Sequence, residues 1–268
     1  MSSDHVDDAF AEADDALARG EHQSAASAID ELVTQRTLDD RGLNVDANGF
    51  DRRLTAAEDL VRYEPRERLL VLDSSGQIVL YLRGTGSQVP LPTDMDGRPS
   101  RSISRLLQGA HCVTHNHPVE PGRPIGGTIS LSDIVLAQRF GIFHLRVAAP
   151  EATYSLMPAA NGSWESSAVV RTQSVYLRMQ AILNRAMGTA GPSAERDIYF
   201  YLRVFDFLMV QVSKQLSLRY SRVDQPREVW SESIPSPASN VIDDDRPTVI
   251  DDADHFRWVA SMFQRGTA

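Results

Sequence analysis

Hydrophobic positions follow two different spacings along the chain, and the changeovers fall near residues 60 and 160. Before residue 60 the spacing is helical. "DDAFAEADDALARG" carries Ala, Leu and Phe at helical intervals with no internal proline, Gly20 ends that run, and "EHQSAASAIDELVTQR" begins another. Residues 36–52 read as a polar connection, and "LTAAEDLVRY" as one more helical segment. From Glu67 the pattern is that of strands. Runs at 68–72 and 77–82, joined by Asp73-Ser74-Ser75-Gly76, predict a hairpin. A small apolar strand follows at 109–115, then a helix over 130–140 with Ile134, Val135 and Ala137 on its apolar side, then strands at 143–150 and 153–158. This order predicts an α/β (α+β) domain, a mixed sheet with flanking helices.

From Trp164 the helical spacing returns. Val169, Tyr176, Met179, Leu183 and Ala186 fall near one face, and Gly188 to Pro192 interrupts. A long amphipathic helix then starts at Ser193, with Ile198, Leu202, Phe205, Met209, Val212 and Leu216 in a stripe. The two segments predict a helical hairpin packed on the sheet. Residues 223–250 hold four prolines and the run Asp243–Asp245, the composition of an acidic disordered linker. "ADHFRWVASMFQR" places Phe256, Val259, Met262 and Phe263 on one side of a short helix, so segment 253–265 reads as a docking element for its own domain or for a protein partner. The expected organisation is an N-terminal helical region (1–60), a central domain (61–160), a C-terminal helical hairpin (161–222), and a linker with a terminal helix (223–268).

With 42% apolar residues the chain can bury a large core, and no apolar run reaches the ~18 residues a membrane helix needs. The acidic opening lacks the features of a secretory signal, and the single cysteine, Cys112, leaves no internal disulfide. These features predict a soluble, cytoplasmic protein. A net charge of −9 argues against nucleic acid as the main ligand, since phosphate binding needs a basic surface.

The candidate chemistry lies in "THNHPVEPGRPIGGTISLSDI", residues 114–134. In a strand, positions i and i+2 share a face, so His115 and His117 form a natural pair of zinc ligands. Asp133, one turn into the next helix, can supply an oxygen and leave a fourth position for water. Zinc in such an open site lowers the pKa of its water and polarises a carbonyl, and a nearby carboxylate must still move the proton. Ser130-x-x-Asp133 also has the form of a helix start, with Ser at the N-cap and an acid three residues on, and that role alone accounts for both residues. His111 and His144 read as structural, and Cys112 as a small buried strand residue.

The whole arrangement of strand, His-x-His-Pro, loop, Ser-x-x-Asp-Ile on a helix, and an upstream Glu at a strand start resembles the JAMM (MPN/JAB) zinc metalloprotease family. "THNHP…SLSDI" and "ERLLVLDSSGQIVLYLRGTGSQV" are most similar to its RadC-like bacterial and phage branch, over about residues 60 to 158. The resemblance implies a JAMM/MPN-like mixed sheet, with His115, His117 and Asp133 as zinc ligands. It also implies Glu67 as the glutamate that activates water and Ser130 as the serine that stabilises an oxyanion. Glu64 also sits near the strand start, and Glu67 is preferred because it directly precedes the apolar run. Twelve residues, "PVEPGRPIGGTI", separate His117 from Ser130, more than the family's usual spacing. The expected function is therefore a zinc-dependent metallopeptidase or isopeptidase acting on a protein or peptide, such as a conjugate of a ubiquitin-like modifier. A non-catalytic JAMM-like scaffold for protein partners is the alternative, and a DNA-associated role of the RadC-like kind stands third.

Overall fold

A computed structural model describes residues 3–39, 49–84, 88–96, 98–119, 126–159, 164, 168–190 and 198–226. Its element order is α1 (Ser3–Ala18), α2 (His22–Asp39), α3 (Gly49–Val61), β1 (Arg68–Leu72), β2 (Ile78–Arg83), α4 (Arg101–Gln108), β3 (Cys112–Asn116), α5 (Leu131–Phe140), β4 (His144–Ala148), β5 (Ala152–Pro158), α6 (Ala168–Ala190), α7 (Ile198–Leu216) and β6 (Leu218–Asp224). The strands form one six-stranded sheet in the order β2-β1-β3-β4-β5-β6. β3 and β4 run parallel, and every other neighbouring pair is antiparallel. A parallel pair needs a crossover, and α5 supplies it. The fold is α+β, as the order of periodicities predicts.

Helices cover both faces of the sheet. Leu69 and Val71 of β1 face a core built with α4, α5, α6 and α7, through Ile103, Ile134, Tyr176 and Met209 among others. Leu70 and Leu72 face the opposite core, made with Phe10, Ile29 and Leu60 of α1, α2 and α3. A strand buried on both faces has no polar face, so "RLLVL" reads as a continuous apolar run. An ionic group fastens α1 to the sheet. Asp14 accepts from Arg68 at 3.1 Å, Arg83 at 2.7 Å and the Tyr81 hydroxyl at 2.7 Å, while the Arg68 guanidinium lies 4.1 Å from the Phe10 ring centre.

The structure adds two elements that the periodicity did not indicate. Helix α4 lies in a stretch with no predicted element, capped by the Ser100 side chain. Strand β6 occupies 218–224, across the boundary drawn between the helical hairpin and the acidic linker, and pairs with β5 along its whole length. Its exposed and partly buried positions alternate, as on an edge strand with one solvated face. The predicted hairpin is present as α6 and α7, and Tyr176, Met179, Leu208, Met209 and Val212 join the sheet's core. The linker beyond residue 226 and segment 253–265 lie outside the described residues. No helix among the described residues is long and apolar enough to cross a membrane.

Candidate metal centre

Strand register brings the site together. Leu69 of β1 pairs with His115 of β3, and the two strands are antiparallel. The residue just before β1, Glu67, therefore lies beside the end of β3 where His117 follows. His115 shares the parity of Val113, which faces the α5 side, and its neighbour across β4 is Val147. The His115 and His117 rings are 4.8 Å apart, with their Nε2 atoms at 3.0 Å. The turn that starts α5 carries Asp133 to the same place: Oδ1 is 3.3 Å from His115 Nε2 and Oδ2 is 3.7 Å from His117 Nε2. Glu67 Oε1 is 3.7 Å from His115 Nε2. Glu67 and His115 are buried, and His117 is partly so.

Glu64 is turned elsewhere. Its carboxylate accepts from Arg68 Nε at 2.7 Å. Ser130 and Asp133 form a complete capping box: Asp133 N–H donates to Ser130 Oγ at 3.3 Å, and Ser130 N–H donates to Asp133 Oδ2 at 2.7 Å. The cap and the approach to the histidines are simultaneous, because the cap engages Oδ2 and leaves Oδ1 towards His115. The Ser130 hydroxyl also lies 2.9 Å from Ser132 Oγ.

The electrostatics are those of a closely coupled cluster. Burial opposes the charged form of His115, but Asp133 and, more weakly, Glu67 outweigh it and hold its pKa above the ordinary imidazole range. Burial likewise works against the Asp133 carboxylate, yet His115, His117 and Ser130 together keep its pKa well below the usual range. Tyr176 of α6, read from the sequence as core, is pushed up to about 12, by burial first and by the Asp133 charge second. His111 and His144 make packing and hydrogen-bond contacts of their own. His111 stacks on Phe143 and meets Phe50 edge-on, and His144 Nε2 lies 2.7 Å from Ser155 Oγ. Cys112 is fully buried, which raises its thiol pKa.

Asn116, treated in the sequence only as the spacer between the histidines, has a task of its own. It is buried, its Oδ1 accepts Arg68 N–H at 2.7 Å, and its Nδ2 donates to the carbonyls of Glu64 at 3.0 Å and Arg66 at 3.1 Å. These bonds bracket Glu67 and fix the segment that carries it. The alternation of a strand was the available signal: flanked by two residues on one face, Asn116 must point to the other.

The donor set fits a small tetrahedral cation. With bonds of 2.0–2.1 Å, two ligand atoms of a tetrahedral zinc lie roughly 3.3 Å apart. The two imidazole Nε2 atoms are 3.0 Å apart and Asp133 Oδ1 is 3.3 Å from that of His115, both near that value, while the other Asp133 oxygen, Oδ2, is 3.7 Å from that of His117. Glu67, His115 and His117 also bring one donor atom each within 4.8 Å of one another. The histidines are common to both triads, and the carboxylates Asp133 and Glu67 compete for the third place. Against families of known proteins, curated proteins and solved structures, the chain finds no match.

Proposed function

We propose that the chain is a zinc-dependent metallopeptidase or isopeptidase of the JAMM type, with a protein or peptide as substrate. The observation that carries this reading is the convergence of two imidazoles and two carboxylates, from three separate segments of chain, at one largely buried point. His115, His117 and Asp133 hold the metal. Asp133 is preferred over Glu67 as the third ligand because its Oδ1 is 3.3 Å from His115 Nε2, closer than Glu67 Oε1 at 3.7 Å. When bound, zinc supplies a Lewis acid and lowers the pKa of water at the open position. Glu67 then acts as the base, taking a proton on its carboxylate and returning it to the leaving amine. Ser130, at the mouth of α5, donates its hydroxyl to the developing oxyanion. The substrate class suggested by the resemblance, a conjugate of a ubiquitin-like modifier, belongs to the same proposal.

The test separates ligand from base. Purified protein should carry about one zinc per chain, lost in the double variant His115→Ala/His117→Ala. Glu67→Gln should keep the zinc and lose turnover of an internally quenched peptide library. Loss of zinc in Glu67→Gln would instead make Glu67 a ligand, and absence of zinc from the wild-type protein would end the reading.

One observation favours a second reading, a non-catalytic scaffold of the same architecture. The complete capping box gives Ser130 and Asp133 a full structural role without a metal. Under that reading the wild-type protein binds no zinc and is as stable with a chelator as without.

A further inference from the structure

The segment between β4 and β5 carries a buried carboxylate that the proposed chemistry does not use. Glu151 is 2% exposed. Its Oε2 accepts Gly126 N–H at 3.1 Å, and its Oε1 accepts Gly127 N–H at 3.0 Å and the Tyr154 hydroxyl at 3.1 Å. The Glu151 carbonyl in turn accepts Gln225 N–H at 2.9 Å, just past β6. A buried carboxylate is costly, and an apolar side chain here would leave two backbone amides without acceptors.

What Glu151 holds is the far end of the loop that leaves His117. The Gly127 carbonyl lies 3.3 Å from His117 Nδ1. A carbonyl can only accept, so this approach favours the neutral tautomer with its proton on Nδ1, which would turn the Nε2 lone pair towards His115 and Asp133. The two glycines make this approach possible. A Cβ on Gly126 would collide with the His117 carbonyl oxygen, and Gly127 has φ +87°, where a side chain is strained.

We propose that Glu151 is a positioning residue for His117: it clamps the Gly126–Gly127 amides so that the Gly127 carbonyl fixes the tautomer and direction of the imidazole. This rests on the reading of His117 as a metal ligand. Partners of this kind beyond the ligands commonly alter metal affinity ten- to a hundredfold.

The experiment uses the full chain labelled with 15N-histidine. Long-range proton–nitrogen spectra of the metal-free protein, at a pH where the ring is neutral, read the His117 tautomer, and competition with a chelating dye reads zinc affinity. Expected are the Nδ1–H tautomer in wild type, and in Glu151→Gln a shift towards Nε2–H with a ten- to hundredfold weaker zinc Kd. Tyr154→Phe, which leaves the carboxylate and both amides in place, should keep both readouts at wild-type values. The Nε2–H tautomer in the wild-type protein overturns the proposal without any variant. An unchanged zinc Kd in a folded Glu151→Gln protein overturns it too. If wild type binds no zinc, the metal reading fails, and the tautomer alone decides whether Glu151 orients His117.

Discussion

Asn116 Oδ1 accepts the backbone N–H of Arg68 at 2.7 Å, and that bond joins the middle of the His-Asn-His sequence to the residue that follows Glu67. The same side chain donates to the Glu64 and Arg66 carbonyls, so the segment that carries Glu67 is held by the strand that carries His115. Asn116→Ala removes the partner of one buried backbone N–H, that of Arg68, and of two partly buried carbonyls. Its expected cost is about 2 kcal/mol, at the usual 1–3 kcal/mol for a buried group left without a partner, measured by urea denaturation. Zinc content should stay near wild type while peptide turnover falls, because the histidines lie on the other face of the strand. Wild-type turnover in a folded variant would show that Glu67 does not depend on Asn116.

Ser130 has a cap to make and, in the proposed reading, an oxyanion to stabilise. The two separate cleanly in Ser130→Gly. Glycine at an N-cap costs only a few tenths of a kcal/mol relative to serine, whereas removing an oxyanion donor costs about 10²–10³ in kcat. Melting should therefore change little and kcat should fall about a hundredfold. Unchanged kcat, in a protein shown to be active, would leave Ser130 with the cap alone.

Asp133→Asn keeps an amide oxygen able to accept Ser130 N–H, so the capping box survives, but the charge facing both imidazoles is gone. Zinc affinity should fall by at least the ten- to hundredfold that outer-shell changes cost, with the helix content unchanged by circular dichroism. An unaltered zinc Kd would pass the ligand role to Glu67.

Zinc binding should weaken on acidification from a higher pH than an ordinary histidine implies. The His115 pKa is raised in the metal-free protein, and zinc takes only the neutral ring. As pH falls through that raised value the proton competes with the metal, so Kd should rise about tenfold per pH unit below it, starting above the ordinary value of about 6.5. Dye competition between pH 5 and 8 would show this. A Kd independent of pH would mean that the histidines are not ligands.

His144 predicts an acid-side loss of stability. Burial, then Arg146, His111 and Arg219, hold its pKa down to about 3 in the folded protein. The unfolded chain binds the proton near pH 6.5 and the folded chain does not, so this group contributes nothing to pH dependence above about 6.5. Below it, the group lowers stability by up to about 1.4 kcal/mol per pH unit until the folded value is reached. Compared with wild type, His144→Gln should flatten the curve of unfolding free energy between pH 6 and 4 in urea titrations. Parallel curves would show that His144 takes up its proton in the folded state.

Local chemistry wrote some of this molecule plainly into the chain. The β1–β2 hairpin, the small strand into the histidines, the α5 start at Ser130 and the α6–α7 hairpin follow from periodicity, turn residues and a capping pair, all of which act within a few residues. The pairing of His115 with His117 follows from the two-residue repeat of a strand. Other features depend on partners distant in sequence. β6 forms because β5 offers it a complete edge to pair with, and "LRYSRVD" carries no strong signal of its own. Glu67 reaches His115 because β1 and β3 are antiparallel in the register Leu69↔His115, a choice made by two cores on opposite faces of the sheet. Asn116 and Glu151 gain their roles by holding backbone from other parts of the chain, Asn116 at positions 64–68 and Glu151 at Gly126 and Gly127. The sequence by itself determined which residue types were on hand for the centre and the faces of their elements. Only the tertiary structure decided which carboxylates meet the histidines and what fixes them there, because a backbone amide or carbonyl leaves no mark in the sequence of the side chain it will meet.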